Sequence, residues 1–435
     1  MTNPLRPHSS ALVRGIAALV LLGATAGAQT LALDNELLRS ATLADTTVTM
    51  TGHSELHLTG SGDPLPGSTV HLNSTDSWIF LHAVPPSATA ALLSHVQVNG
   101  TPAVLGSNVR VVQHARGAVV IPHATTFRPL EVFSSPECVG RSMLLGPYTA
   151  YNGTSLGSFN GAIRSFILKR GYTATFAQNE NGSGSSRNYV AQDSDLVVAT
   201  MPSGLDSAIR FVRVFPWRWT GKKGSCDVAP TALNADWHYN WNISSNSTPD
   251  WEYAAIRQTR WWPGLDQDWK WRGINHLLGY NEPNNPVEDA YTSLDNGSVD
   301  TAIATWPDLL ATGLRVGAPA VTDGGYNWIV DFINKADAAG VRVDYVPVHY
   351  YRSYWSASDP AGATTQLYNY LKSIHDVAQR PIWVTEFNNG ANWTSGPDPS
   401  VEQNRDTIQA MIEMMDNTPW IERYAIYSKV EWFRQ

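Results

Sequence analysis

The sequence predicts a multidomain protein in which N-terminal all-β accessory domains precede a C-terminal (β/α)8 TIM barrel. Its 435 residues exceed the length of an ordinary single domain. Of the 17 tryptophans, only Trp78 lies before residue 217, so the two halves differ in composition. From about residue 209 onwards, short apolar runs alternate with helical periods, and this alternation is typical of α/β folds.

The first 28 residues have the composition of a secretory signal peptide. Arg6 and Arg14 precede the apolar stretch 15–24, and small residues suited to cleavage end at Ala28. Because this stretch is too short to span a bilayer, we expect a secreted, extracellular protein, with an uncleaved N-terminal anchor as the alternative. The two cysteines, Cys138 and Cys226, could pair in an oxidising compartment or stay free.

Residues 29–128 are predicted to form a β-rich accessory module of unknown type. Alternating apolar and polar residues in the stretches 47–51 and 108–112 indicate antiparallel sheet. Glycine, serine and asparagine are frequent between such stretches, as expected for turns.

Residues 129–215 contain an internal duplication. In each copy a strand is followed by Gly-x-Ser and then by a closing strand with an Ile-Arg pair. The first copy comprises residues 130–133, 140–142 and 162–166, and the second comprises 172–176, 184–186 and 208–212. This order resembles the double Greek key of the βγ-crystallins. The calcium-binding pattern of that family is altered in both copies, so we predict no calcium site here.

Residues 216–435 are predicted to supply the eight strands of the barrel. The first strand is either 211–215 or 222–226, and both possibilities stay open. The other seven are 237–241, 253–257, 274–280, 314–318, 345–349, 382–385 and 424–427. Helices are clearest late in the chain, where Ser400 and Gln403 form a capping box.

Two glutamates carry the predicted chemistry. Glu282 follows the fourth strand and Glu386 ends the seventh. Because catalytic groups of such barrels lie at the carboxyl ends of the strands, we expect the two carboxyl groups to meet across the mouth. Hydrolysis of a glycosidic bond uses one carboxyl as acid and another as nucleophile or base. Glu288 and Asp289, shortly after Glu282, are expected to begin a solvated helix.

Four stretches around these glutamates resemble glycoside hydrolase family 128. They are residues 237–241, 276–284, 344–350 and 381–387. The resemblance implies an endo-acting hydrolase of β-1,3-glucan that retains the anomeric configuration. It also implies that Glu282 is the acid/base and Glu386 the nucleophile. The chain departs from the family in the aromatic segment 257–265 and after His349.

Further side chains are candidates for substrate binding. Asn281 precedes the acid and could bind a sugar hydroxyl or Glu386, while His349 and Tyr351 follow the sixth strand and could hold the nucleophile or the sugar. Aromatic and amide side chains on the other loops could form subsite walls. These candidates are Asn240, Trp241, Trp261, Trp262 and Trp432.

The bulk properties exclude several classes of function. A net charge of −8 argues against nucleic acid and anionic membranes as partners. We expect no metal and no cofactor, because the sequence has no His/Cys metal-ligand spacing, phosphate loop or dinucleotide fingerprint. The prediction is a monomeric glycoside hydrolase of β-1,3-glucan. The alternatives are a retaining hydrolase of galactan, mannan or xylan, and a non-catalytic polysaccharide-binding protein.

Overall fold

The computed structural model describes residues 29–266, 268–351 and 359–434. The predicted signal peptide lies outside these residues. The chain divides into two compact units, Met1–Phe127 and Arg128–Gln435. Within the described ranges, no helix has both the length and the apolar character needed to cross a membrane.

The first unit consists of two five-stranded sheets. Its strands are β1 (Gln29–Asp34), β2 (Leu37–Ser40), β3 (Thr46–Thr51), β4 (Glu55–Leu58), β5 (Thr69–Leu72), β6 (Trp78–Leu81), β7 (Val96–Val98), β8 (Thr101–Pro102), β9 (Val109–His114) and β10 (Gly117–Pro122). The sheet orders are β1-β3-β5-β7-β8 and β2-β4-β6-β10-β9. Strands β1 to β7 therefore alternate between the two sheets, whereas β7–β8 and β9–β10 are hairpins within one sheet each. Residues such as Val48 and Leu56 are buried in the core.

The strand directions in this unit differ in part from the prediction. β3, which contains the stretch 47–51, pairs in parallel with both β1 and β5, so the prediction of antiparallel pairing there is wrong. Period-2 alternation reports that one face of a strand is buried, and it carries no information on the direction of the neighbours. β9, which contains most of the stretch 108–112, does pair antiparallel with β10.

Residues 128–216 form two four-stranded antiparallel sheets. The elements are β11 (Leu130–Phe133), β12 (Ser142–Leu145), β13 (Ala150–Asn152), α1 (Gly153–Leu156), β14 (Ser165–Leu168), β15 (Tyr172–Ala177), β16 (Ser186–Ala191), β17 (Leu196–Val198) and β18 (Phe211–Pro216). The orders are β12-β11-β14-β17 and β13-β18-β15-β16. Each copy of the duplication thus gives one strand to the sheet of the other copy. The likeness to βγ-crystallins stays a prediction.

The remaining residues alternate between strands and helices. The elements are β19 (Lys223–Cys226), α2 (Pro230–Leu233), β20 (Trp237–Tyr239), β21 (Glu252–Tyr253), β22 (Ala255–Ile256), α3 (Trp269–Arg272), β23 (His276–Leu278), α4 (Asp289–Ser293), α5 (Val299–Leu310), β24 (Arg315–Val316), α6 (Tyr326–Ala338), β25 (Val346–Tyr350), α7 (Pro360–Ala378), β26 (Ile382–Phe387), α8 (Val401–Asp416) and β27 (Ile421–Tyr427). Of the two candidates for the first barrel strand, 222–226 corresponds to β19, whereas 211–215 lies in β18 of the preceding antiparallel sheet. The capping box of Ser400 and Gln403 begins α8 as predicted.

Parallel pairing joins these strands into a ring. One sheet has the order β21-β20-β19-β27-β26-β25 and the other β22-β23-β24. β21 and β22 are separated only by Ala254, and parallel bridges from Gly317 to Tyr345 and from Val321 to Val348 connect the β24 segment to β25. We call the strands β19–β27 the strand ring. Because all pairs are parallel, the carboxyl ends of the strands lie on one side.

Charged side chains are buried near the amino ends of several ring strands. Arg423 Nη2 donates to Glu252 Oε2 at 2.5 Å, and His276 Nε2 lies 3.6 Å from Glu252 Oε1. Burial alone would raise the pKa of Glu252, but the charges of Arg423 and His276 lower it to about 2. The cluster is therefore a buried ion pair, and it stands at the opposite end of the strands from the glutamates described next.

Candidate active site

Glu282 and Glu386 meet at the carboxyl ends of the ring strands. Glu386 lies within β26, and Glu282 follows β23 in a segment that bridges to Ala320. The backbone of Glu282 is left-handed, with a φ of 47°, and its N–H donates to Ala320 O at 2.8 Å. One oxygen of each carboxyl group lies within 4.8 Å of the other. Both side chains are largely buried, so the two acids face each other in a confined site.

Three side chains donate hydrogen bonds to Glu386. Tyr239 Oη and Trp241 Nε1 donate to Oε1 at 3.0 and 2.9 Å, and Tyr351 Oη donates to Oε2 at 2.5 Å. Behind them, the buried Cys226 Sγ donates to Tyr239 Oη at 3.3 Å. Neither Cys226 nor Cys138 forms a disulfide. The donors fix the orientation of the Glu386 carboxyl group, as a nucleophile requires.

Glu282 is paired with the buried His349. His349 Nδ1 lies 2.6 Å from Glu282 Oε1 and 3.5 Å from Glu386 Oε2, and Asn285 Nδ2 donates to Glu282 Oε2 at 2.8 Å. Burial acts to raise the pKa of Glu282, but the hydrogen bond and charge of His349 leave it lowered. Burial acts to lower the pKa of His349, but the charge of Glu386 and the bond with Glu282 leave it raised. The contact therefore favours the ionised form of Glu282 and the protonated form of His349.

The two glutamates lie in a cleft of about 1170 Å³. Its walls are aromatic on one side, with Trp241, Trp393 and Tyr427, and are formed mainly by polar and charged side chains elsewhere. The lining residues are Trp241, Gln258, Asn281, Glu282, Asn284, Asn285, Pro286, Val287, Glu288, Thr322, Asp323, Gly324, Tyr351, Glu386, Trp393, Thr394, Ser395, Tyr427 and Lys429. Aromatic faces with convergent polar groups are suited to an amphipathic ligand such as a sugar.

Within the described ranges, one group of side chains could hold a metal ion, and it consists of Glu282, His349 and Glu386. The donor atoms of Glu282, His349 and Glu386 all lie within 4.8 Å of one another. Asn285 and Tyr351 already donate to the two carboxyl groups. A cation would therefore have to compete with an existing set of hydrogen bonds.

A comparison with protein families decides the class of this site. The family model described as glycosyl hydrolase catalytic core matches residues 217–434, which is half of the 435-residue chain. The chain belongs to this glycosyl hydrolase family. It is a glycoside hydrolase, and the two glutamates of the cleft lie within the matched residues. A comparison with curated proteins found no match.

Solved structures similar to this glycosyl hydrolase include members of glycoside hydrolase family 128. An endo-β-1,3-glucanase of subgroup I from Amycolatopsis mediterranei, in complex with laminaritriose, is 32% identical over 48% of this chain and 88% of that chain, with a TM-score of 0.41. A subgroup II endo-β-1,3-glucanase from Sorangium cellulosum is 23% identical over 49% and 90%, with a TM-score of 0.38. A curdlan-specific exo-β-1,3-glucanase of subgroup III from Blastomyces gilchristii is 22% identical over 49% and 93%, with a TM-score of 0.39.

The structure of the glycosyl hydrolase brings together half of the predicted substrate-binding residues. Trp241, Asn281 and Tyr351 line the cleft, and His349 lies between the two glutamates. Trp241 and Tyr351 contact Glu386 directly rather than forming a distant wall. Their roles in binding stay predictions, but their positions are those expected from strands that end at one face.

The other predicted binding residues do not line this cleft in the described part of the chain. Asn240 points to Tyr253 and Ser244, because successive side chains of the β20 segment alternate between faces. Trp261, Trp262 and Trp432 lie on the surface, with 68%, 47% and 77% of their area exposed. Two aromatic residues that were not predicted line the cleft instead, namely Trp393 in the loop after β26 and Tyr427 at the end of β27.

Sequence reasoning missed several residues of the site. Tyr239 could have been found, because it lies two residues before Trp241 and shares its face. Trp393, Tyr427 and Asn285 lie on loops or strand ends whose direction no periodic pattern reports. Glu288 precedes α4, yet it is half-buried and lines the cleft rather than lying on a solvated helix start.

Replacement of Tyr351 by phenylalanine tests whether the hydrogen bond from Tyr351 to Glu386 contributes to catalysis. A hydrogen bond to a charged group contributes about 1.5–3 kcal/mol, so we expect kcat/KM to fall about 10–100-fold. The thermal midpoint should change little, since only one hydroxyl is removed. The control is Tyr326→Phe, which removes a hydroxyl from an exposed tyrosine. Activity of the Tyr351 variant within twofold of the parent would contradict the assigned contact.

Proposed function

We propose that the protein is a secreted, retaining endo-β-1,3-glucanase. The observation that carries the retaining mechanism is the short separation of the two carboxyl groups, one oxygen of each lying within 4.8 Å of the other. Retaining glycosidases place the groups about 5–5.5 Å apart and inverting enzymes about 6.5–9.5 Å, because inversion needs room for a water molecule. The short separation in this cleft favours direct attack by Glu386.

In the first step a Glu386 oxygen would form a bond to the anomeric carbon. The bond from that carbon to the leaving oxygen breaks, its electron pair goes to the oxygen, and Glu282 supplies the proton. A bound sugar that displaces water would raise the pKa of Glu282, because desolvation favours a neutral carboxyl group, and Glu282 would then carry the proton that it donates. Tyr239, Trp241 and Tyr351 keep the attacking group in line.

In the second step Glu282 would take a proton from water, and the hydroxide would attack the same carbon. The bond to Glu386 then breaks, and the sugar leaves with its configuration retained. While Glu386 is esterified it carries no charge, so Glu282 loses a repulsive neighbour and its basic form is favoured. The same carboxyl group can therefore serve as acid first and as base later.

The choice of substrate rests on the sequence resemblance. The four stretches similar to glycoside hydrolase family 128 include both glutamates and His349. The cleft is open and large enough for several sugar units, which suits internal cleavage of a chain. The ring of parallel strands supports a (β/α)8 barrel, and the exchanged strands of residues 128–216 support a crystallin-like accessory domain.

Product analysis tests the proposed activity. We expect hydrolysis of laminarin and curdlan to a series of oligosaccharides, with Glu386→Ala as the inactive control. Proton NMR at early times should show the β-anomer first, because double displacement retains configuration. Activity on xylan, mannan or galactan with none on laminarin or curdlan would overturn the substrate, and early α-anomer would overturn the mechanism. Recovery of mature protein from the culture medium tests secretion.

A further inference from the structure

A third carboxyl group, that of Glu288, lies in the cleft. Its side chain is half-buried and lines the cleft together with Glu282 and Glu386. Burial and the charges of Glu282 and Glu386 raise the pKa of Glu288. A third acid beside two others is electrostatically unfavourable, so its presence calls for a compensating role.

Helix capping does not supply that role. Glu288 is the residue before α4, but its side chain makes no capping hydrogen bond within the described residues. Its recorded partner is Asn281, whose Nδ2 donates to Glu288 Oε2 at 3.4 Å. The contact therefore points away from the helix and towards the residue that precedes the catalytic acid.

Asn281 has an unused acceptor. Its side chain lines the cleft and is 6% exposed, and its Oδ1 is buried without a hydrogen-bond partner among the described residues. Buried carbonyl oxygens are rarely left without a donor in folded proteins. A ligand hydroxyl would supply the missing donor.

The two observations are connected by the geometry of an amide. An asparagine side chain can turn by half a rotation, which exchanges its donor and acceptor ends. The Glu288 carboxylate only accepts hydrogen bonds, so it selects the orientation in which Nδ2 faces it and Oδ1 faces away. The orientation of Oδ1 is thus set by a residue outside the reacting pair.

We propose that Glu288 is a positioning residue that holds the Asn281 amide so that Oδ1 accepts a hydrogen bond from a hydroxyl of the sugar beside Glu282. The proposal rests on the proposed function, because it assigns a sugar as the ligand. It deepens that function by naming the residue that determines which end of Asn281 the sugar meets.

Kinetics of four variants test the proposal: Glu288→Ala, Glu288→Gln, Asn281→Ala and the double alanine variant. On laminari-oligosaccharides we expect Glu288→Ala and Asn281→Ala each to lower kcat/KM by about 10-fold, since each removes one ordered contact. Glu288→Gln presents both a donor and an acceptor and no longer selects one amide orientation, so it should lower kcat/KM about as much as Glu288→Ala. The double variant should be no slower than Asn281→Ala, because Glu288 acts through Asn281.

The matched control is Asp289→Ala, which removes the neighbouring exposed carboxyl group and should leave kcat/KM unchanged. Additive losses in the double variant would overturn the proposal. So would a glutamine variant as fast as the parent, or full activity of Glu288→Ala.

Neutron crystal structures without a ligand, which distinguish the amide nitrogen from the oxygen, separate this proposal from the proposed function. We expect the Asn281 amide to hold one orientation in the parent and to lose it in both Glu288→Ala and Glu288→Gln. An Asn281 side chain that is unmoved in Glu288→Ala would overturn the positioning role. If the parent hydrolysed no β-1,3-glucan, the proposed function would fail, while these two structures would still decide whether Glu288 orients Asn281.

Discussion

Replacement of Glu386 by alanine is expected to lower hydrolysis of β-1,3-glucan by about 10⁴-fold or more, because alanine cannot form the covalent intermediate. Replacement of Glu282 by alanine should slow the reaction by about 10²–10⁴-fold, the range of general acid–base catalysis. Initial rates on laminarin would measure both effects. Glu413→Ala, which removes an exposed carboxyl group on α8, is the matched control.

Azide distinguishes the roles of the two glutamates. With an activated aryl β-glycoside, azide should restore turnover in both alanine variants. In Glu386→Ala it replaces the nucleophile and attacks the substrate once, so the product should be the α-glycosyl azide. In Glu282→Ala it attacks the covalent intermediate, so the product should be the β-glycosyl azide. The opposite pair of products would reverse the assignment of acid/base and nucleophile.

The second large effect concerns stability. Glu252→Gln is expected to lower the free energy of unfolding by about 3–5 kcal/mol, because it leaves the Arg423 charge buried without its partner. Urea titration at neutral pH would measure the change. Asp406→Asn removes one partner of an exposed ion pair with Arg405 and should cost less than about 1 kcal/mol. A Glu252 variant as stable as this control would show that the buried pair does not support the fold.

The same cluster predicts sensitivity to acid. The pKa of Glu252 is about 2 in the fold and 4.5 ordinarily, so its stabilisation is present above pH 4.5 and is lost as the pH falls towards 2. Burial lowers the pKa of His276 from 6.5 to about 3. Between these two pH values the imidazole is protonated in the unfolded chain and neutral in the folded protein, which favours unfolding. Both effects lower the free energy of unfolding as the pH decreases. The thermal midpoint should therefore decrease from about pH 6 to pH 3, and the decrease should be smaller in Glu252→Gln.

The sequence predicted the part of the site that depends on strand ends. Glu282, Glu386 and His349 follow apolar runs, and parallel strands that share one direction bring such positions together. Contacts on the loops could not be predicted in the same way. Trp393 replaces the expected Trp261 and Trp262 as a cleft residue, because loop direction depends on tertiary packing and not on a local period.

The sequence also failed to predict the direction of one strand and the burial of one acidic side chain. The alternation in residues 47–51 reported a buried face correctly and direction wrongly, because both sheet types produce the same pattern. Glu288 resembled a solvent-exposed helix start because acidic residues are common there. The structure shows instead that the Glu288 carboxyl group accepts a hydrogen bond from Asn281 and faces the cleft.

The backbone of Glu282, the proposed catalytic acid, has a consequence for how the protein can evolve. Glu282 and Trp241 both adopt left-handed conformations, with φ values of 47° and 52°. Such a conformation costs a residue with a side chain about 1–2 kcal/mol relative to glycine. Glycine at position 282 would therefore relax the backbone while it removes the acid. At position 282, selection for stability would favour glycine, whereas selection for catalytic activity favours glutamate. We therefore expect glutamate to persist only while the activity is under selection.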